Sequence, residues 1–519
     1  MAVLNTGMDI PSLGLPQYLV LVVAVTILLS ASYITYNLLF HPLRSVPGPK
    51  LWAATQLPYM AGLLSGRLPF IIHALHEKYG DVVRVGPNRL SFTHPDAWRD
   101  IRGHRKHGQA EHGKDPAFYD MSRQNILGAG REEHARVRRI LSHGFSAKSM
   151  QDQQPLIMRY VELLMQRLRE RTTTTDQKTG ESRREEGVVN MVSWFNFTTF
   201  DVIGDLAFGE PFGCLETSDY HPWVGAILAG IEQFGMYLTL QWYLPGGIKT
   251  LKRLSPWKYV GAPVEQQQDL AHQRIQKRLR AGTSRPDFVE AMATAKSDDG
   301  RMLTDAEMAS NGRLLVLAGS ETTATALSGV AYYLATHQDV QRKLADEVRS
   351  GFAAEDEIDL FSANRLTYML AVLDEAMRMF PPVPSMLPRI CEPGGAMICG
   401  YQVPGGTGLD IWPYAMNHSS RNFTEPEKFI PERWLEDEYQ GYHFDKSRHA
   451  ALQPFSVGPR NCIGKNLAYV EMRLILARLM WNYDMVLADR ASEEFPNCKT
   501  FSLWLKGPLN VRLIPVARA

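Results

Sequence analysis

Residues 455–464 read Phe-Ser-Val-Gly-Pro-Arg-Asn-Cys-Ile-Gly. Cys462 lies between Gly458 and Gly464, with Arg460 two residues before it and Phe455 opening the stretch. A thiolate is a soft donor suited to a transition metal. The glycines are expected to allow backbone conformations that a side chain forbids, so that amide N–H groups approach the sulfur and tune its donation. The apolar run from Leu467 to Trp481 reads as a buried helix whose N-terminus further favours the anion. A free cysteine in a glycine turn is the bland alternative. It leaves the Phe and Arg at fixed intervals around Cys462 unexplained.

A second constellation is Ala318-Gly319-Ser320-Glu321-Thr322-Thr323. Here the expectation is that Gly319 leaves space, that the Thr322 hydroxyl turns onto a backbone carbonyl or a bound ligand and opens the helix ladder locally, and that Glu321 relays protons through water. Standing alone, such a stretch would read as packing, so its meaning depends on Cys462. A third is Glu375 and Arg378, whose i, i+3 spacing puts them on one helix face.

Positioning these groups requires long elements. Thr304 with Glu307 three residues on makes a capping-box start for an apolar helix running to about Thr336. A helix from about Leu366 to Met379 stops at Pro381-Pro382. Leu156, Tyr160, Leu164 and Leu168 recur at helical spacing between Gln153 and Arg169. Residues 82–92 read as a hairpin broken at Gly86-Pro87, and strands are expected near Met397–Cys399 and Leu409–Ile411. The polar stretch Arg171–Gly187 reads as a surface loop. The expected class is mainly α with small β-sheets.

Hydrophobic residues make up 45% and charged residues 21% of the 519, ordinary values for a globular protein. Net charge is +1, which gives no basic field for nucleic acid. The five cysteines form no C-x-x-C pair, zinc spacing or C-x-x-C-H, and read as reduced thiols in a cytosol-facing protein. No charged side chain occurs between Asp9 and Arg44, and Tyr18–Leu38 is dominated by apolar residues. About 20 such residues span a bilayer core of roughly 30 Å. Arg44 and Lys50 after the span place the bulk of the chain in the cytosol by the positive-inside rule. The prolines at 42, 47 and 49 favour a stiff hinge. Sequons at Asn196, Asn417 and Asn422 should then stay unmodified.

The pattern F-x-x-G-x-R-x-C-x-G around Cys462, with A-G-x-E-T-T and E-x-x-R, resembles the cytochrome P-450 superfamily. FHPLRSVPGPK after the span, FDVIGDLAFGEPFGCL at 200–215 and QPFSVGPRNCIGKNLAYVEMRLILARL at 453–479 look closest to membrane-bound fungal members of secondary-metabolite pathways, such as the trichothecene hydroxylases. The resemblance implies a P-450 fold preceded by one transmembrane helix: an anchor at 1–43, a proline-rich hinge at 44–50 and a catalytic domain at 51–519. It implies haem b with Cys462 as axial ligand to the iron and Phe455 covering the ring. Arg460, Arg389, Arg138 and His134 would lie at the propionates, although many members carry Trp where His134 stands. Glu321 and Thr322 would be the oxygen-activating pair. Glu375, Arg378 and Arg433 would form a structural core contact.

The implied reaction is insertion of one oxygen atom into a lipophilic small molecule. A haem-thiolate isomerase or dehydratase, or a haem sensor, would usually lack the acid–Thr pair. With no flavin or nicotinamide motif present, electrons should come from a separate NADPH-dependent reductase at the endoplasmic reticulum membrane. Lys465, Arg473 and Arg448 are expected to form its docking face. By the same resemblance, segments 118–127, 212–245, 314–323, 384–389 and 500–505 would wall the substrate pocket, with Phe212, Trp223, Phe234, Met236, Tyr237, Trp242 and Tyr243 in the second.

Overall fold

The structure is a computed structural model. It describes residues 14–516 apart from 106–108, 121–122, 176–181, 185, 244–257, 283–284 and 299. Helix α1 (Leu15–Thr35) continues through a π turn at Tyr36–Phe40. The Leu15–Phe40 stretch has a mean hydropathy of 2.2 and is almost wholly exposed, which makes it a candidate membrane span. Its C-terminal end is tied to the body through polar groups. Asn37 is buried, donates to the Ala54 carbonyl at 3.1 Å, and its own carbonyl accepts from the Arg84 guanidinium at 3.0 Å.

The body is mostly helical. Its principal helices are α2 (Arg131–Ser142), α3 (Ala147–Arg171), α4 (Met191–Phe208), α5 (Pro222–Tyr243), α6 (Lys258–Arg280), α7 (Asp305–Thr336), α8 (Gln338–Gly351), α9 (Thr367–Met379) and α10 (Lys465–Asn482). The capping box that starts α7 is formed: Thr304 accepts from the Glu307 N–H, and Glu307 accepts from the Thr304 N–H. That reciprocal bonding satisfies two of the orphan donors at a helix start. Although α7 is apolar enough to cross a membrane, 72% of its most apolar window is buried. It is the central core helix, packed most extensively on α4 and also on α6, α9 and α10.

Two sheets frame the helices. In the larger, β1 (Val82–Gly86), β2 (Arg89–Phe92), β3 (Gly113–Lys114), β5 (Arg389–Ile390) and β6 (Gly408–Ile411) lie in the order β1-β2-β6-β5-β3. The smaller joins β4 (Gly187–Asn190), β7 (Tyr483–Leu487) and β10 (Asn510–Pro515), and β8 (Lys499–Phe501) pairs with β9 (Leu503–Leu505). The hairpin expected at 82–92 and the strands near 397 and 409 are present.

The stretch expected to be a loop, 171–187, is partly extended. Thr173–Thr175 pairs with Ser182–Arg184, and β4 begins at Gly187. A Cβ at Gly187 would stand 2.5 Å from the Arg171 carbonyl oxygen, so only glycine lets the chain turn back there. The paired segment carries Thr, Ser and Arg, without the apolar alternation by which a strand is recognised.

Candidate active site

The Cys462 loop is held by its own backbone. The Cys462 N–H donates to the Phe455 carbonyl at 2.8 Å, and the Asn461 N–H to the Gly458 carbonyl at 3.2 Å. Gly458 has φ +77°, and a Cβ there would stand 1.9 Å from the Arg102 carbonyl oxygen. The glycine is needed for that approach of two chain segments. Gly464 differs from the expectation: its φ is −84°, open to any residue. Its N–H does bond the Cys462 sulfur. Burial pushes the Cys462 thiol up, and the Gly464 N–H, Arg138 and Lys465 offset only part of that. The sulfur nevertheless faces open space, for Cys462 is exposed within dense surroundings. Phe455 packs on Tyr469, ring centres 5.1 Å apart.

A second opening lies on α7. Most of the helix is buried, yet Ala318 in its middle is exposed, and Leu314, Leu317 and Thr322 are half-buried. Positions 314, 318 and 322 share one face. The two openings are on packed elements. Thr323 bonds Glu471 of α10, and Cys462 precedes that helix by a single turn. Burial pushes the Glu471 carboxyl up to about 8. The Thr322 hydroxyl donates to the Ala318 carbonyl at 2.6 Å, yet α7 runs unbroken past it, without the local opening expected. Gly319 does not face the opening either. A Cβ there would stand 2.7 Å from Ile203, so it is the close packing of α4 that requires the glycine. Glu321 is 1% exposed and pairs with Lys506, Nζ to Oε1 2.5 Å.

Beside Cys462 the structure gathers cations. A cavity of about 460 Å³ is lined by Arg105, Glu111, His134, Arg138, Pro459 and Arg460 among others. Arg138 donates to the Asn461 carbonyl at 2.6 Å and bonds its side chain, so it steadies the residue before the cysteine. Arg460 is forked onto Glu111 and donates to the Ala129 carbonyl at 3.1 Å. Burial alone would raise Glu111, but that fork holds it below the ordinary carboxylate range. Lys114, opposite Arg389 in the β3–β5 pairing, bonds the Leu127 and Ala129 carbonyls. Burial, then Arg460 and Arg389, lowers it to about 6. His134 falls to about 3 through burial, then Arg460, Lys114 and Arg138. Arg102 falls to about 10 through burial and Arg389.

Like charges directly opposite in a sheet are unfavourable, and a buried charge requires partners. Arg389 Nη1 and Arg102 Nε are buried with no hydrogen-bond partner. Haem would supply two propionates to this surplus of cations and an iron to Cys462, so the residues present fit the group. Sequence reasoning missed Arg102, Glu111, Lys114 and Lys506, which carry no spacing signal.

The structural contact is fully assembled. Glu375 receives two bonds of 2.9 Å from Arg378, and one of 3.0 Å each from Arg433, Trp434 and the Ile430 N–H. Both arginines and Glu375 are 0% exposed. Burial alone would raise the Glu375 carboxyl, but Arg378 and Arg433 hold it down.

Other expected groupings are redistributed. Phe212 and Trp223 lie in the main core, beneath the Arg274 guanidinium. Trp242 donates to Asp115 at 3.2 Å, Met236 is exposed and Tyr237 half-buried. The side chains of Phe234 and Tyr243, and residues 121–122 and 244–245, lie outside the described residues. Lys465 and Arg473 flank Tyr469, whereas Arg448 turns away to Asp81 and Asn422. All three sequon asparagines are buried.

Comparison with known proteins places this geometry. The cytochrome P-450 family model matches residues 46–513. The chain is 45% identical to trichothecene C-15 hydroxylase of Fusarium sporotrichioides over 93% of its own length and 95% of the relative's. It is 42% identical to cytochrome P-450 monooxygenase astJ of Aspergillus oryzae, with 92% and 93% covered, and 41% identical to averantin hydroxylase of Dothistroma septosporum, with 92% and 88% covered. With the family model spanning nearly the whole body and relatives matched along almost their full length, the chain belongs to the cytochrome P-450 family.

Proposed function

We propose that this protein is a membrane-anchored monooxygenase that hydroxylates or epoxidises a lipophilic intermediate of fungal secondary metabolism, with electrons supplied by a separate NADPH-dependent reductase. The observation that carries the reading is an exposed Cys462 just before α10 on the same packed pair of helices as the partly exposed Ala318–Thr322 face of α7, which α10 meets through Thr323 and Glu471. The hydroxylase relatives in fungal pathways support the substrate class. Residues 1–43 serve as the anchor, 44–50 as the hinge and 51–519 as the catalytic domain. Arg44 and Lys50 just past the span support a body that faces the cytosol, at the endoplasmic reticulum in this reading.

Cys462 would hold haem, which when bound would supply an iron whose thiolate donation favours O–O cleavage. The chain's own residues do the rest. Arg138 fixes Asn461 and hence the approach of Cys462. Arg389, Arg460, Lys114 and neutral His134 are the residues that would hold the haem propionates. Glu321 is the acid adjoining Thr322, whose hydroxyl donates to the Ala318 carbonyl and leaves its oxygen lone pairs free to accept. Phe455 and Tyr469 exclude water from the cysteine side.

The test is expression of the full chain with an NADPH-dependent reductase, supplied with the metabolite that accumulates in a deletion strain under isotopically labelled O₂. One labelled atom per product, with strict NADPH dependence, is expected. Conversion without NADPH, or product without label, would instead point to an isomerase or dehydratase.

A further inference from the structure

Helix α7 is closed along most of its length. Between Met308 and Ala331 the side chains that keep some exposure are those of Arg313, Leu314, Leu317, Ala318 and Thr322. They fall in two adjacent rows, 313 with 317 and 314 with 318 and 322, each spaced four residues apart along one side of the helix. The turn before Arg313, Met308–Gly312, is buried, and so is the stretch from Thr323 to Ala331. Gly312 closes a flank, since a Cβ there would stand 3.0 Å from Ile275 of α6 and 3.1 Å from Phe208 of α4. The strip is therefore one opening bounded at both ends. Arg313 is its charged member and stands at the end away from Thr322.

Among the described residues Arg313 makes no hydrogen bond or ion pair, and burial alone acts on its guanidinium, lowering its pKa. The carboxylates of its own helix are taken. Asp305 accepts from Gln276 at 2.7 Å, Glu307 pairs with Arg136, and Glu321 with Lys506. A second donor lies one turn earlier. Ser310 accepts from Asn125 Nδ2 at 3.3 Å, and among the described residues its own hydroxyl hydrogen has no acceptor. It is three residues before Arg313 and four before Leu314, hence on the same side of the helix. A half-buried charge without a partner is unfavourable. A guanidinium offers a planar fork that matches a carboxylate with two parallel bonds. Leu314, Leu317 and Ala318, which continue the strip, offer an apolar wall.

We propose that Arg313 determines substrate specificity: it holds a carboxylate at one end of a lipophilic substrate, while Leu314, Leu317 and Ala318 carry the apolar body and oxidation takes place at the Ala318–Thr322 end. At 1.5 Å per residue, Arg313 lies about 8 Å along the helix from Ala318 and about 14 Å from Thr322. Long helical side chains lean toward the N-terminus, which adds to the separation. The substrate is thus an acid whose oxidised carbon sits on the order of 10–15 Å from its carboxylate, and the ion pair sets which carbon that is. A neutral molecule of the same length leaves the guanidinium unpaired and is disfavoured.

This rests on the monooxygenase reading and deepens it, so binding and oxidation are measured apart. Full-length holoprotein as wild type, Arg313→Gln and Arg313→Lys is taken to equilibrium dialysis against dodecanoic acid and against 1-dodecanol, probes of one length that differ in charge. From wild type to Arg313→Gln the ratio of dodecanoate to dodecanol affinity should fall about 10- to 100-fold, with dodecanol affinity itself held within about 2-fold. Arg313→Lys keeps the charge and loses the fork, and should lower the ratio by part of that amount. With reductase, NADPH and labelled O₂, wild type should place oxygen on the carbons farthest from the carboxylate, and Arg313→Gln should spread it along the chain. An unchanged ratio, an equal loss for both probes, or the same carbons oxidised in wild type and Arg313→Gln would overturn the proposal. Should Arg313→Gln fail to retain haem, Arg313→Lys decides, and an unchanged ratio there overturns it. Dodecanoate bound with the expected ratio, but no labelled oxygen in it or in the metabolite that accumulates in a deletion strain, would overturn the monooxygenase reading instead and leave the carboxylate site standing.

Discussion

Thr322 is the residue on which proton chemistry should show most clearly. Its hydroxyl is bonded to Ala318, and among the described residues no hydrogen bond joins it to the groups that hold Cys462 or gather at the propionate side. Thr322→Ala should therefore keep haem and substrate affinity while product per NADPH falls and hydrogen peroxide rises. Positioned proton transfer contributes ~10²–10⁴-fold in rate, and a replacement water recovers part of it. Product, peroxide and NADPH measured together check this; unchanged coupling would show that protons arrive independently of Thr322.

Lys114 gives a pH signature at the same scale. In the haem-free fold its folded value of about 6 lies below the ordinary 10.5. Between those values the unfolded chain holds a proton that the folded chain does not, so stability rises with pH through that window. Lys114→Met should flatten the rise. Urea midpoints of both haem-free proteins at about pH 7 and 9 measure it, and identical slopes would remove Lys114 from the cationic cluster. The residues legible from sequence are those whose chemistry is written in local spacing, such as Cys462 within its ten-residue stretch and Glu375 with Arg378. Glu321 and Lys506 stand 185 positions apart, and Arg460 and Glu111 349 apart. Lys506 and Glu111, the distant partners, read as ordinary surface charges until the chain is folded.

Among the elements, α9 and the segment carrying Arg433 are joined by an acid with five donors on it. Breaking a buried pair by removing one member leaves an uncompensated charge. Glu375→Ala, which strands two arginines, should cost ~3–5 kcal/mol, a large share of the ~5–15 kcal/mol that holds a typical domain together. It should yield little haem-containing protein; a normal haem content and thermal midpoint would refute the structural role. Helices α7, α9 and α10 were readable because capping, apolar content and proline stops agree on their limits. The pairing of Thr173–Thr175 with Ser182–Arg184 was not, since those polar stretches lack apolar alternation. Gly319 shows the same limit differently. The glycine is visible in sequence, but only packing reveals that Ile203 of α4, and not the cavity, requires it.

For the whole molecule, α1 is a candidate membrane span joined to a folded body. The exposed stretch Leu15–Phe40 is long and apolar enough to cross a membrane, and Asn37 and Arg84 fix its exit from the body. Deleting residues 1–43 removes Asn37 but no group at Cys462, so the body should keep haem and be released from membranes at least in part. Fractionation with haem quantitation checks it, and complete loss of haem would make the segment structural.

The central claim is that the folded chain carries haem on the Cys462 thiolate. The direct measurement is the reduced carbon-monoxide difference spectrum of membranes bearing the full chain, beside Cys462→Ser. Wild type should show the red-shifted Soret band of thiolate ligation, and the serine variant should lack it, because a hydroxyl stays protonated and is a poor soft donor. The same red-shifted band in Cys462→Ser, or none in wild type, would contradict the account.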